Sequence, residues 1–298
     1  MPLYRRKANN IGTKWSDEDT ALLLTQLHGH GFNAEALLSL FPGRSLSSIR
    51  SKVRKLRIQH DIFGSSYRDT KTEFTGMVNQ IVKPKVVFDA YAGAGHQTFK
   101  WAEIADKVFA AEIRTGKIDQ FTAEAKLHGF QSNGISGNWN LFVNGDKKVY
   151  YFTGDTVQAA ADLATNRVKI DLVDLDTCGS TLPTLPYFLL MLRPKHLVIT
   201  HGEFHSMRFK REDVLRRLFM HRDINLNPLP LTVEEMSKEL EKAVKVAALR
   251  AHNETVDSFW VELQNEIWLG SKLHGMLRRY FTVTRPPATA DCLNLLAS

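Results

Sequence analysis

The sequence predicts a doubly wound α/β sheet of parallel strands, preceded by a small bundle of three helices. Three observations predict it. From Lys85 onward, short apolar runs ending in turn residues alternate with stretches of helical spacing, as in successive βαβ units. The first of these runs, "KVVFDAYAGAG", ends in a glycine turn of the kind that feeds a helix. Ahead of it, residues 14–58 carry helical spacing broken twice by turn signals. The expected division is a helical domain over 1–60 and a sheet domain over 61–298.

In the helical domain, Ser16 with Asp19 three residues on forms a start signal like a capping box, and Leu23, Leu24 and Leu27 follow at helical spacing. "GHGF" breaks this helix. Asn33 caps a second one through Ala36, Leu37 and Leu40, and "FPG" stops it. Ser45 caps a third with Leu46, Ile49, Val53 and Leu56 on its inner face. Its outer face holds Arg50, Lys52, Arg54, Lys55 and Arg57, with no acidic residue between Ser45 and Ile58. An apolar stripe backed by an all-basic face is what entry into a phosphate-lined groove requires.

"QHDIFGSSYRDTKTE" reads as a linker or docking segment. Then come a strand to Asp89, a helix over "HQTFKWAEIA", a strand over "DKVFAAEI" and a helix over "RTGKIDQFTAEAKLHGF". "NLFVNGDKKVYYFTGD" reads as a hairpin turning at Asn144-Gly145. "TVQAAADLATN", "TLPYFLLMLR" and "KREDVLRRLFMH" read as helices; "KIDLVDLD" and "KHLVITHGE" read as strands. Thr232 with Glu235 opens a helix to about Ala251, and "MLRRYFTVTR" has the residue types of a late strand.

Composition narrows the function classes. The 298 residues are 43% hydrophobic and 24% charged, values of an ordinary globular protein. No run approaches a membrane span, and "MPLYRRKANN" lacks the apolar centre of a signal peptide. The two cysteines, Cys178 and Cys292, exclude a disulfide framework and a Cys-based zinc site. They suit a reducing cytoplasm, at a nucleoid or, in a eukaryotic cell, a nucleus. The net charge of +7 is moderate, and a solvated surface alone would account for it, so what matters is where the charge sits.

The chemistry concentrates at the predicted strand tips. Gly93 and Gly95 would let backbone approach a ligand, although the third glycine of the dinucleotide spacing is absent and no Lys-Ser/Thr follows as in a P-loop. Glu112, about 20 residues on, can accept from two ribose hydroxyls. Asp155 ends "FTGD", where it can accept from an adenine amino group, and Asp174 and Asp176 close "KIDLVDLD". Carboxyl ends of neighbouring parallel strands converge on one crevice, so these acids are expected to meet.

"VVFDAYAGAG", "FAAEI", "FTGD" and "DLVDLDTCGS" resemble the successive motifs of class I S-adenosylmethionine-dependent methyltransferases, over roughly Lys71 to His205. The resemblance implies a Rossmann-like sheet and S-adenosyl-L-methionine as cofactor. Asp89, Tyr91, Gly93 and Gly95 would border its methionine part, Glu112 its ribose and Asp155 its adenine. "DLDTCGS" is similar to the "D-x-D-P-F-G-S" element of tRNA guanine-N2 methyltransferases and akin to the Asp-Pro-Pro-Tyr element of amino-methylating DNA enzymes. By that likeness Asp176, with Asp174, would hold an exocyclic base amine while its nitrogen attacks the methyl. Thr177 and Cys178 replace the family's proline and aromatic, and Tyr91 and Tyr187 are candidate walls for an extruded base.

"KWSDEDTALLLTQL" and "FPGRSLSSIRSKVRKL" resemble a Myb/SANT-type helix-turn-helix. That implies duplex DNA as partner, with Arg50 and Arg54 toward bases and Arg44, Lys52, Lys55 and Arg57 toward phosphates. The expected function is methylation of an exocyclic amino group in DNA, without a metal. A tRNA substrate and a catalytically inactive DNA-binding regulator are the alternatives. Cys178 as a nucleophile on a pyrimidine lacks the Pro-Cys and Glu-Asn-Val elements such chemistry usually shows, and packs as an ordinary loop residue on this reading. His201, Glu203 and His205 in "THGEFH" alternate as metal ligands can, but a closed site needs a further ligand.

Overall fold

A computed structural model describes residues 14–29, 37–60, 65–177, 179–208, 211, 214–215, 232–251, 259–270 and 276–284. The chain divides into two units, Met1–Asp69 and Thr70–Ser298.

In the first unit, α1 (Asp17–Gly29) starts where Ser16 Oγ accepts from Asp19 N at 3.0 Å, with Asp17, Glu18 and Asp19 in its first turn. Helix α2 (Leu46–His60) starts likewise, with Ser45 Oγ accepting from Ser48 N at 3.1 Å. Leu23, Leu37, Phe41, Ile49, Val53 and Leu56 form the core, and Trp15 meets Phe41 edge-on at 5.3 Å. The expected second helix falls largely outside the described residues.

In the second unit, strands β1 (Val86–Asp89), β2 (Lys107–Glu112), β3 (Gln131–Ser136), β4 (Trp139–Asn144), β5 (Lys147–Thr153), β6 (Leu172–Asp176), β7 (His196–His201), β8 (Trp260–Leu269) and β9 (Met276–Thr284) form one sheet. Their spatial order is β3-β4-β5-β2-β1-β6-β7-β9-β8. The five central strands from β5 to β7 are parallel, as the alternation predicts, and β9 runs antiparallel to β7 and to β8. The hairpin turns at Gly145-Asp146, since Asn144 pairs with Lys147, one residue later than expected. Its partner β3 was not anticipated: every residue of that edge strand is exposed, so it shows no apolar alternation.

Helices α3 (Ser65–Val82), α4 (His96–Ala102) and α5 (Ile118–Leu127) contribute to one core; α6 (Thr156–Thr165), α7 (Leu185–Leu192) and α9 (Val233–Leu249) contribute to the other, with α8 (Glu203–Arg208) after β7. The segment read as a linker is thus mostly α3, whose Phe74, Thr75, Val78 and Asn79 are buried. Its polar first half hid the helical period. Helix α9 opens on the expected capping box between Thr232 and Glu235 and buries Met236, Leu240, Ala243 and Val244.

Strand side chains alternate between the two faces. Val87, Val108, Ala110, Val149, Leu172 and Val198 pack on the core shared with Phe74, Trp101 and Phe121; Phe88, Phe109, Val173, Leu175 and Ile199 pack on the core shared with Leu163, Phe188 and Leu240. This parity decides where every strand-tip acid points. Among the described residues no helix is long and apolar enough to cross a membrane.

Candidate active site

Asp89 is two residues from Val87, Glu112 two from Ala110, and Asp174 and Asp176 follow Leu172 by twos, so all four acids share the face packed by α3, α4 and α5. Register brings them side by side: Asp89 pairs with Asp174, Asp176 with Thr200 and Glu112 with Thr153. Gly154 N donates to Glu112 O at 3.0 Å, and Ala92 N to Ala111 O at 2.9 Å, drawing the tips of β1, β2 and β5 together.

The acids are not equivalent. Asp174 is fully enclosed: Arg278 Nη2 donates to its Oδ2 at 2.6 Å and Trp101 Nε1 donates to the same oxygen at 2.8 Å. Arg278, itself buried, also donates to Thr200 Oγ1 at 2.7 Å and Thr75 Oγ1 at 3.3 Å. Asp174, expected as a second catalytic carboxylate, therefore sits beneath the tip and braces it. Asp89 is equally buried, with Thr98 Oγ1 donating to its Oδ2 at 2.6 Å and its Oδ1 without a hydrogen-bond partner among the described residues. Burial, then the neighbouring Asp174, push its carboxyl up to about 8. Asp89 thus lies under the β1 turn, where burial disfavours its charged form.

Asp176 alone of the β6 acids stays at the surface, with its side chain 14% exposed. Lys71 Nζ donates to its two oxygens at 2.8 and 2.7 Å. Burial by itself would raise this carboxyl, but Lys71 and Arg278 outweigh it and hold Asp176 below the usual carboxylate value. Burial raises the Asp174 carboxyl against the pull of Arg278, so the cluster sets three acids against two cations, Lys71 and Arg278.

Beside it lies an open turn. Gly93 has φ +55°, and a Cβ there would meet nothing nearer than Glu112 Oε2 at 4.0 Å. Its amide donates to that oxygen at 3.0 Å, while the backbone N and Nε of Arg114 each donate to Glu112 Oε1 at 2.9 Å. Gly95 differs: a Cβ there would stand 2.8 Å from Phe121 and 2.9 Å from Phe99, so this glycine serves packing between helices and not ligand approach. Asp155 caps α6, its Oδ1 accepting from Val157 N at 2.8 Å and Gln158 N at 3.1 Å, and remains exposed. Tyr91 reaches Thr184 Oγ1 at 3.3 Å; burial raises its phenol, with Asp155 adding to the rise. Tyr187, the other expected wall, is mostly solvent-exposed.

No protein-family model and no curated protein matches this chain. Solved structures do. Trm1 from Pyrococcus horikoshii, in complex with S-adenosyl-L-methionine, superposes with a TM-score of 0.57 at 15% identity, covering 72% of this chain and 54% of that one. The fold is that of a Rossmann-like methyltransferase. An O-methyltransferase from Bacillus cereus (TM-score 0.49, 10% identity, 84% and 96% covered) and a tRNA methyltransferase from M. jannaschii (0.42, 13%, 72% and 49%) also match. The chain spans about half the length of the Trm1 it matches. In this methyltransferase fold the acids fall at the carboxyl ends of the parallel strands, where α/β sheets bind ligands.

The other expected residues are placed as follows. Arg44, expected on phosphate, turns inward: it donates to Lys14 O at 3.1 Å and Asp19 Oδ2 at 3.0 Å and lies 4.3 Å over the Trp15 ring. Only 9% of its side chain is exposed, since the Trp15 ring and Asp19 cover the guanidinium. Arg50 and Lys55 are exposed and Lys52 half-buried, 5.8 Å over Trp15; the side chains of Arg54 and Arg57 lie outside the described residues. Cys178 and the His205 side chain also lie outside them. His201 and Glu203 are buried, 3.5 Å apart, and Ser180 Oγ donates to Glu203 Oε1 at 2.6 Å, which anchors the loop after β6. Among the described residues no three His, Cys, Asp or Glu side chains gather as for a metal ion.

Lys71, Arg278, Trp101 and Thr200 were missed by sequence reading. The period-two pattern of "MLRRYFTVTR" could have set Arg278 on the Tyr280 face, but nothing local names Asp174 as its partner.

Proposed function

We propose that this chain is an S-adenosylmethionine-dependent methyltransferase acting on nucleic acid, with Asp176 holding an exocyclic base amine. The observation that carries the reading is the Lys71–Asp176 pair: an ionised carboxylate at an accessible strand tip that already accepts N–H bonds from an amine-like group. Gly93 offers open backbone, Glu112 a carboxylate for ribose hydroxyls, and Asp155 a second oxygen with no hydrogen bond inside the described chain for an adenine amine. S-adenosylmethionine supplies a methyl on a sulfonium centre. Asp176 orients the amine by accepting one N–H and stabilises the positive charge that develops on nitrogen. Lys71 yields one carboxylate oxygen to the amine and keeps the other.

The basic face of α2, with Arg50, Lys52 and Lys55, favours duplex DNA, and a Myb/SANT-like module over residues 1–60 would raise the local concentration of the target. The likeness of "DLDTCGS" to the tRNA guanine-N2 element favours a tRNA substrate as the second reading. Calorimetry with S-adenosylmethionine, followed by methyl-label transfer to duplex DNA and to tRNA, tests both. The expected result is cofactor binding and labelled exocyclic amine in DNA nucleosides by mass spectrometry. Label in tRNA alone overturns DNA; binding without transfer to either makes the chain a regulator; no binding overturns the whole reading.

A further inference from the structure

The end of the sheet away from the acids is lined with cations. Lys148, Lys107, Lys85, Lys169 and Lys195 stand at or shortly before the starts of β5, β2, β1, β6 and β7, consecutive neighbours in the sheet. Lys107 N bonds Lys85 O at 3.1 Å and Lys195 N bonds Asp171 O at 3.0 Å, which fixes the row. Strands lie about 4.8 Å apart, so five of them set these lysines along roughly 19 Å.

Three further cations join it. Among the described residues, the non-glycine positions with positive φ are Lys83 (49°), Arg167 (54°) and Arg193 (48°). Each follows a helix, respectively α3, α6 and α7, and each begins a basic-x-Lys triplet: Lys83-Pro84-Lys85, Arg167-Val168-Lys169, Arg193-Pro194-Lys195. Glycine takes this backbone conformation without penalty, yet the chain places a long cation at all three. Helix dipoles favour a cation at a helix C-terminus. They do not account for the lysine on every strand. All eight side chains are exposed, and among the described residues none makes a side-chain hydrogen bond or ion pair. Nearby Asp171 accepts from Lys85 N and Val86 N, and Asp162 from Trp139 Nε1, while Asp106 is exposed within the row. Positive charge prevails.

A cavity of about 630 Å³ reaches this end, with Lys107, Arg167 and Lys169 in its lining, and extends to Trp139 and the β3–β4 turn. Tyr150, half-buried, also lines it and stacks on Phe109 with ring centroids 4.6 Å apart.

We infer that this basal face binds a single-stranded nucleic-acid segment, its phosphates along the lysine row and a base in the cavity against Tyr150. A cationic track beside an aromatic surface is the physical requirement for such binding. Along β2, from Lys107 to Glu112, this face lies about 17 Å from the acid tips. The site is therefore distinct from the crevice and does not depend on methyl transfer.

The test uses the full chain carrying Arg54→Ser and Lys55→Ser, which lowers the contribution of α2 to the measured affinity. Into it go Lys83→Gly, Arg167→Gly and Arg193→Gly, and a fluorescein-labelled single-stranded oligonucleotide is titrated by anisotropy across a salt series. Glycine suits all three backbones, so the melting temperature should hold or rise. Affinity should fall about 10-fold or more at low salt, and the slope of log K against log salt should shrink by about 2. Lys107→Ser with Lys169→Ser should act in the same direction. Unchanged affinity and slope in both variants overturn the inference. Polyglutamate competing as well as the oligonucleotide, charge for charge, also overturns it and makes the partner an acidic protein. The two readings fail separately: calorimetry with S-adenosylmethionine should be the same for the variants and the parent, and failure of cofactor binding in the parent touches only the methyltransferase reading.

Discussion

Lys71 Nζ grips both oxygens of Asp176, at 2.8 and 2.7 Å, across 105 residues of sequence. The pair joins a helix that covers the sheet to the strand tip where chemistry is proposed. It keeps Asp176 charged and presents it as a hydrogen-bond acceptor in the geometry an amine would use.

Asp176→Asn should therefore lower methyl transfer by about 10²-fold or more while cofactor binding by calorimetry stays within a few-fold. Lys71→Met acts differently. Losing the ammonium lets the Asp176 carboxyl rise, so the acid limb of the kcat/KM profile should move to higher pH. An acid limb that stays in place removes Lys71 from this role.

The buried Arg278–Asp174 pair makes a stability prediction. Arg278→Met leaves Asp174 uncompensated in the core and should cost about 3–5 kcal/mol in urea unfolding. Adding Asp174→Leu removes the stranded charge, and the double variant should recover much of that loss. Additive losses would mean that the two side chains are not coupled.

Asp89 sets a pH dependence. Its folded value of about 8 lies above its ordinary 3.8, so the folded state keeps a proton that the unfolded chain releases between those values. Its contribution is fully present below about 4 and is lost as pH rises to about 8, with a slope of up to about 1.4 kcal/mol per pH unit. Asp89→Asn should flatten that decline in denaturant unfolding measured across the window. An unchanged slope would show that Asp89 ionises normally.

Asp155 carries two separable duties. Asp155→Ala removes the α6 cap and should cost about 1 kcal/mol, whereas Asp155→Ser keeps a capping oxygen and should leave stability nearly intact. Both should weaken S-adenosylmethionine binding about 10-fold in calorimetry, a single lost charge-assisted hydrogen bond. Full affinity in Asp155→Ser would confine the residue to its cap.

Much of the sheet was legible because its strands are short apolar runs closed by turn residues, a local signal. Strand β1, strand β2, strand β6 and the capped start of α9 all announce themselves this way. Where the local signal is weak, reading failed. Helix α3 opens with "SSYRDTKTE" and looks like a linker; β3 is polar throughout. Of the acids, sequence located the strand tips but could not rank them, since Asp174 and Asp176 differ by two positions and face the same way.

The central alternation of strands and helices, the acids at the strand ends, the basic helix α2 and the basic-x-Lys triplets follow from sequence alone, because periodicity, capping and charge are properties of neighbouring residues. Tertiary structure decided that Asp174 is buried under Arg278 and Asp176 is left accessible under Lys71, and that lysines from five strands stand in one row. Those outcomes depend on sheet register and on which helix covers which face, and both are fixed by contacts between residues far apart along the chain.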